Sequence, residues 1–164
     1  MSAKTIYDRL RSHGMTVAGA CAMLGNMQAE SGLKANIAQR GMTTLTDDEY
    51  TRQADSYAVS QAKFIHDAVG YGLCQWTGER KGYLYDLAME NGTSVGDLLT
   101  QCEFIMQELR NDYPELLEYL VNAEDELSAT LEFSNVYLQT LVHGGRTTLA
   151  SEYLDKYALV EEEE

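Results

Sequence analysis

Residues 25–33, GNMQAESGL, place a glutamate at the end of a predicted helix. The apolar pattern before it predicts a helix that reaches Glu30 and stops at Gly32. The unpaired carbonyls of a helix C-terminus carry partial negative charge, which favours the neutral form of a carboxyl group. Burial between Met27 and an aromatic such as Trp76 would act in the same direction. A neutral glutamic acid can act as a general acid, and cleavage of a glycosidic bond is the reaction that most plainly needs one. On this residue alone, a solvated glutamate at a helix end is the more common case.

A second stretch, GYGLCQWT at residues 70–77, suits the binding of a polar ligand with a flat face. Two glycines allow the backbone to approach a ligand closely, and Gln75 offers both a donor and an acceptor. Trp76 is the only tryptophan in the chain, and a flat aromatic beside amides suits a sugar ring. A core tryptophan is an equally good interpretation of Trp76.

Composition narrows the function classes. The chain of 164 residues has a formal net charge of −14 and no basic stripe, which argues against nucleic-acid binding and against adhesion to an anionic membrane. No apolar run is long enough for membrane insertion, and no signal peptide is visible at the amino terminus. The three cysteines and three histidines lack metal-ligand spacing, so no metal and no cofactor is expected. Buried free thiols are the simplest interpretation of the cysteines.

The elements that must position these residues are predicted to be mainly α-helical. The predicted helices cover residues 3–12, 16–31, 47–55 and 81–90, and further ones begin near Ser94, Pro114, Ser128 and Thr147. Between residues 33 and 78 the pattern predicts an irregular excursion, with a small β-hairpin or extended segment over residues 56–76. One domain over residues 1–160 and an acidic disordered tail over residues 161–164 complete the prediction.

These motifs resemble a known family in their order along the chain. Glu-Ser-Gly-Leu followed by Gly-Leu-Cys-Gln resembles the leading motifs of goose-type lysozymes and lytic transglycosylases. The resemblance to the phage-tail lysozyme family is closer, over residues 16 to about 110. It covers GACAMLGNMQAESGL, TDDEYTRQAD, FIHDAVGYGLCQWTGERKGYLYDLA and, more weakly, QCEFIMQEL. It implies a lysozyme-like helical fold and cleavage of the bond between N-acetylmuramic acid and N-acetylglucosamine in peptidoglycan.

The resemblance also implies site residues. Glu30 takes the place of the family's general acid, and Ser31 either braces that carboxyl group or caps the helix. Tyr71 and Gln75 fall on the motif that lines the sugar groove, and Trp76 follows it as a wall of the site. The stretch VYLQTLVHGG, residues 136–145, departs from the family because it has no proline. There Tyr137 either supplies an aromatic hydroxyl opposite the acid or packs in the core.

A second catalytic carboxylate is harder to assign. Asp67 is the choice, because His66-Asp67 precedes the glycine turn and lies where the chain should return to a cleft, although a turn-forming aspartate fits almost as well. His66 would orient Asp67 or contact sugar, or be a plain loop histidine. Asp47, Asp48 and Asp55 are explained by helix ends.

The expected function is a peptidoglycan muramidase that acts on glycan strands while tethered to a phage tail or a similar secretion or injection assembly. That places it in the virion tail, or outside the cell at the wall by delivery within the assembly. Three alternatives stay open: a lytic transglycosylase, in which the substrate's own C6 hydroxyl attacks; a non-catalytic wall-binding tail module; and a peptidase that uses Cys74 with His66.

Overall fold

The chain folds almost entirely into helices. The computed structural model describes residues 2–162, including every side chain in that range except those of residues 57–60. Its α-helices are α1 (Ser2–Ser12), α2 (Val17–Ser31), α3 (Asp47–Asp55), α4 (Tyr57–His66), α5 (Glu79–Asn91), α6 (Leu98–Asn111), α7 (Pro114–Asn122), α8 (Glu126–Glu132) and α9 (Arg146–Glu162). A π-helical segment, Phe133–Tyr137, follows α8. The mainly α fold class is therefore confirmed.

The residues form two compact units, one of residues up to 33 and from 106 onwards, the other of residues 34–105. In the first unit, α2 is the central helix and packs against α1, α7, α8 and α9. Eleven of its fifteen residues are buried, because it is apolar on all sides. The prediction of a single domain over residues 1–160 stays a prediction.

Small residues let α2 approach its neighbours closely. A Cβ atom at Gly25 would lie 2.7 Å from the backbone oxygen of Arg146 and 2.7 Å from the backbone nitrogen of Ala150. Only glycine fits there without a shift of one helix, so Gly25 sets the distance between α2 and the start of α9.

The second unit contains α3, α4, α5 and the first part of α6. The predicted capping box at the start of α3 is confirmed: Thr46 and Glu49 each accept a hydrogen bond from the other's backbone N–H. Rings of Tyr50, Phe64 and Tyr71 form one aromatic cluster, with centroids 5.4–6.1 Å apart. This cluster is the core of the unit beside the glycine-rich turn.

The predicted extended segment over residues 56–76 is wrong for its first half, which forms α4. Phe64 is buried among Tyr50 and Tyr71, and this packing outweighs the β-propensity of the local sequence. The side chains of Tyr57 and Val59, which supported the strand prediction, lie outside the described residues. A hairpin-like turn does occur at Tyr71 and Trp76, which exchange two backbone hydrogen bonds.

Two helix starts differ from the prediction. Ser94 does not cap α6; the carboxylate of Asp97 does, by accepting a hydrogen bond from the backbone N–H of Thr100. Likewise α8 begins before Ser128, because Asp125 is its N-cap. In both cases the carboxylate of a nearby aspartate, and not the predicted serine, accepts hydrogen bonds from the free backbone N–H groups at the start of the helix.

The predicted disordered tail is wrong at its first two positions. Helix α9 includes Glu161 and Glu162, and residues 163–164 lie outside the described residues. Glu161 accepts hydrogen bonds from the Tyr7 hydroxyl and from the Arg11 guanidinium on α1. These contacts hold the last turn of α9 against α1, although a sequence of four glutamates by itself indicates a solvated tail.

Candidate active site

Glu30 lies in the last turn of α2, as predicted. Thr16 caps the start of this helix, and Gly32 ends it in the left-handed conformation, with φ of 62°. Two carbonyls near the end of α2 are occupied: the Ser31 hydroxyl donates to Met27 O at 2.9 Å, and the Gly32 N–H donates to Gln28 O at 2.9 Å. The Ser31 hydroxyl thus contributes to the helix end, and its bracing of the Glu30 carboxyl group stays a prediction.

An arginine that the sequence did not single out binds the Glu30 carboxyl group. Arg146, the first residue of α9, donates from Nη2 to Oε1 of Glu30 at 2.7 Å. The same guanidinium donates through Nε to Val142 O at 2.7 Å and through Nη1 to the backbone and side-chain oxygens of Asn26 at 3.3 and 3.4 Å. Because all three nitrogens of the guanidinium are bonded, Arg146 is held in one orientation.

The surroundings of this ion pair are largely buried and polar. The Arg146 side chain is 7% exposed and that of Glu30 is 19% exposed. Asn26 is fully buried and donates to Ala22 O and Thr130 O, which holds its own oxygen towards Arg146. The Glu30 carboxyl group is thus the most open part of a hydrogen-bonded network that crosses α2, α8 and α9.

Arg146 changes the electrostatic argument for Glu30. The guanidinium lies at hydrogen-bonding distance from the carboxyl group and so supplies positive charge where the helix end supplies partial negative charge. Apolar walls of Met27 and Trp76 around Glu30 stay a prediction. Only Oε1 is bonded; among the described residues none donates a hydrogen bond to Oε2. Oε2 is therefore the Glu30 oxygen that the described residues leave open.

Tyr137 lies in the core of the first unit, the interpretation favoured for a helical tyrosine. It is fully buried in the π-helical segment and stacks on Phe133 with ring centroids 4.7 Å apart. Its hydroxyl donates to Oε1 of Glu108 at 2.7 Å. Glu108 is itself buried at 5% exposure, so this is a second carboxylate of the first unit that the sequence did not bring forward.

The glycine-rich turn in the second unit places its residues differently from the expectation. Trp76 is 1% exposed and packs edge-on against Phe104, with ring centroids 5.0 Å apart. Tyr71 is fully buried, and its hydroxyl lies 2.6 Å from that of Thr51. Both aromatics are core residues here, the alternative considered for Trp76, and their contact with sugar stays a prediction.

Gln75 is half-buried and partly engaged within the turn. Its φ of 52° is unusual for a residue with a side chain, and its amide nitrogen donates to Gly72 O at 3.0 Å. A buried side chain from α6 holds the same turn: Gln101 accepts from Leu73 N and donates to Ala35 O. Gly72 is required because a Cβ there would lie 2.8 Å from Oε1 of Gln101. Of the three predicted groove residues, Gln75 alone retains exposed surface.

Asp67 belongs to a buried network with a lysine. Lys81 has no exposed surface, and its ammonium donates to Oδ1 of Asp67 at 2.5 Å, to Val69 O at 2.7 Å and to the Tyr50 hydroxyl at 3.2 Å. The Tyr50 hydroxyl also donates to Oδ2 of Asp67. Burial lowers the pKa of Lys81, while its bonds to Asp67 act in the opposite direction. His66, beside this network in the chain, is exposed.

The other acidic candidates are held by loops, in agreement with their assignment to structural roles. Burial acts to raise the pKa of Asp47, but hydrogen bonds from Arg40, Lys34 and the backbone of Ala38 lower it to about 2. Asp55 accepts from the Ser94 hydroxyl and from Val95 N. These carboxylates tie down the loops before α3 and α6.

The described residues also bear on a cysteine nucleophile, on metal binding and on membrane insertion. The cysteines are confirmed as free and buried, and burial raises the pKa of Cys21 to about 12. Cys74 is 5% exposed, which disfavours a nucleophilic thiolate. In residues 2–162 no group of three or more side chains is arranged to hold a metal ion, and no helix there is both long and apolar enough to cross a membrane.

Two cations that pair with the candidate carboxyl groups were not predicted from the sequence, although each has a feature that indicates an ion pair. Arg146 begins a helix, where the dipole disfavours a cation, so it needed an anionic partner. Lys81 is spaced with Leu84, Tyr85 and Ala88 on the apolar face of α5, which is unusual for a lysine. In both cases the pattern indicated a buried ion pair but not which carboxylate completed it.

Comparison with known protein families gives one match. The family described as phage tail lysozyme matches residues 1–157 of the 164. A search of curated proteins gives no match. Because the match spans nearly the whole chain, the chain belongs to the phage tail lysozyme family. Membership indicates a peptidoglycan-lytic function, a lysozyme-like fold and a phage-tail context.

Proposed function

We propose that this member of the phage tail lysozyme family is an N-acetylmuramidase that cleaves the glycosidic bond between N-acetylmuramic acid and N-acetylglucosamine, with Glu30 as the general acid. The observation that carries the proposal is the state of the Glu30 carboxyl group. The group lies in the last turn of α2, one of its oxygens is held by Arg146, and the other is not bonded by any described residue. A fixed carboxyl group with one open oxygen suits directed proton transfer.

The proton would pass from Oε2 of Glu30 to the glycosidic oxygen as the bond from that oxygen to the sugar's anomeric carbon breaks. Protonation turns the departing sugar into a neutral alcohol, and the ring left behind takes on oxocarbenium character. The proton transfer leaves Glu30 as a carboxylate. Arg146 supports this step because its guanidinium is already bonded to Oε1 and lies beside the charge that appears on Glu30.

A lytic transglycosylase is the second candidate, and the network around Asp67 favours it. Hydrolysis by inversion needs a second carboxylate that activates water. Asp67 was predicted for that role, yet Lys81, Tyr50 and the Val69 N–H all donate to it. Its catalytic role stays a prediction. If no second carboxylate takes part, the substrate's C6 hydroxyl can complete the reaction with Glu30 alone.

We further propose that the chain acts while attached to a tail assembly. A net charge of −14 gives no electrostatic attraction to an anionic cell wall, so a tethered enzyme would reach its substrate better than a free one.

Mass spectrometry of digested peptidoglycan tests the proposal. Purified sacculi are incubated with the wild-type protein and with Glu30→Gln, and the soluble fragments are analysed. Reducing N-acetylmuramic acid ends support the muramidase, and anhydro-muramic ends support the transglycosylase. If neither variant releases fragments while both sediment with sacculi, the chain is a wall-binding module and the proposal is wrong.

A further inference from the structure

A cavity in the second unit is lined by Asp67 and by residues that have no role in the proposed proton transfer. It has a volume of about 560 Å³ and lies among α3, α4 and the loop of residues 42–45. Cavities that bind small ligands commonly enclose roughly 300–1,000 Å³. Its floor is apolar and buried, and is formed in part by Tyr50, Phe64 and Val69. The cavity therefore has room for a small molecule or for a few residues of a peptide.

The rim of the cavity carries one cation and one anion on the same helix. Lys63 and Asp67 both line it and are four residues apart at the C-terminal end of α4, where the Asp67 N–H donates to Lys63 O. Residues at this spacing lie on one face of a helix, about 5–6 Å apart at Cβ. Lys63 is exposed, and no described residue pairs with its ammonium group. The polar side chain of Gln53 also lines the cavity.

Asp67 has capacity for one further donor. An ionised carboxylate offers about four lone-pair positions. Oδ1 accepts from the Lys81 ammonium and from Val69 N, whereas Oδ2 accepts from the Tyr50 hydroxyl alone among the described residues. These donors fix the orientation of the carboxylate, which remains 18% exposed. The cavity thus presents a fixed acceptor, a free ammonium group and an apolar floor between them.

We propose that this cavity binds the stem peptide of peptidoglycan, with an amino group of the peptide on Oδ2 of Asp67 and a carboxylate on Lys63. The proposal rests on the proposed function, since it names a part of the same substrate. A stem peptide carries free carboxylates, a diamino acid with a free amine, and alanine methyl groups that suit the apolar floor. The uncharged rings of a glycan strand would leave the Lys63 ammonium group without a partner of opposite charge, and they carry no amine for Oδ2 of Asp67.

Nuclear magnetic resonance titration tests the proposal, because the chain of 18.3 kDa is small enough for it. The probe is the synthetic peptide L-Ala-γ-D-Glu-meso-diaminopimelyl-D-Ala. We expect saturable shifts at the amides around Gln53, Lys63 and Asp67. Lys63→Gln should weaken binding roughly tenfold, the loss of one charge-assisted hydrogen bond. The same peptide with its free side-chain amine acetylated should also bind more weakly.

Lys156→Gln is the matched control, since Lys156 is an exposed lysine of α9 and does not line the cavity. It should bind the peptide as the wild type does. The inference is overturned if the peptide causes no shifts, if the shifts lie elsewhere, or if Lys63→Gln binds as tightly as the wild type. It is also overturned if a stem-free glycan oligomer, and not the peptide, shifts the cavity residues.

A parallel digestion separates this inference from the proposed function. The wild-type protein is given stem-free glycan and intact sacculi. Cleavage of glycan without peptide binding would end the inference and leave the muramidase proposal standing. Peptide binding in the cavity without cleavage of either substrate would end the muramidase proposal and leave the stem site standing.

Discussion

Replacing Glu30 with glutamine removes the acidic proton and changes little else. The amide oxygen of the new side chain can still accept the hydrogen bond from Nη2 of Arg146, which is 2.7 Å from Oε1 in the wild type. The side chain keeps its size and its place in the last turn of α2. An amide cannot protonate a leaving sugar oxygen, so the general acid is lost while the geometry is retained.

The expected effects of Glu30→Gln on the rate of cleavage and on the stability of the fold differ enough in size to be measured separately. General acid catalysis contributes roughly 10²–10⁴-fold in rate, which corresponds to about 3–5 kcal/mol in the barrier. The change from a charge-assisted to a neutral hydrogen bond costs about 1 kcal/mol of stability. Arg146 keeps its bonds to Val142 and Asn26, which reduces the penalty of leaving its buried charge without an anionic partner. For a chain of this size, about 1 kcal/mol lowers Tm by roughly 2–4 °C.

The assay is the release of soluble fragments from purified sacculi, combined with thermal unfolding followed by circular dichroism. Glu118→Gln, at an exposed position of α7, is the control for the loss of one carboxylate. The reasoning is refuted if Glu30→Gln is folded and keeps more than a tenth of the wild-type rate. It is also refuted if activity is lost only because the protein unfolds at the assay temperature.

Three further experiments, which use four substitutions, test the packing and the ion pairs of the fold. Gly25→Ala should destabilise the chain by about 1–3 kcal/mol in thermal unfolding, because the added methyl group meets the backbone of α9. Asp47→Asn should cost about 2 kcal/mol of stability at pH 7. Because folding lowers the pKa of Asp47 from 3.8 to about 2, urea titrations should show the difference in unfolding free energy between wild type and variant disappear as the pH falls through that range. Lys81→Met should cost about 3 kcal/mol, and combining it with Asp67→Leu should cost less than the sum. The respective argument would be contradicted by an unchanged Tm for Gly25→Ala, by a stability difference for Asp47→Asn that does not vary with pH, or by strict additivity of Lys81→Met and Asp67→Leu.

Prediction from the sequence succeeded where local chemistry decides the structure. The N-cap of Thr16, the stop at Gly32 and the capping box of Thr46 and Glu49 are all observed. Each depends on hydrogen bonds between residues two to four positions apart, which the order of residue types specifies. The segment at 57–66 was mistaken for an extended one because its helix is stabilised by packing of Phe64 against Tyr50 and Tyr71, which lie elsewhere in the chain.

The sequence by itself determined that the chain is helical, that it ends a buried helix on Glu30, and that its motifs match those of phage tail lysozymes. Only the tertiary structure decided which distant side chains bind the carboxyl groups: Arg146 binds Glu30, Lys81 binds Asp67 and Tyr137 binds Glu108. The physical reason is the distance along the sequence over which each interaction acts. Helix caps and periodicity act over a few residues, whereas an ion pair between residues 116 positions apart forms only when packing at glycines such as Gly25 brings two helices together.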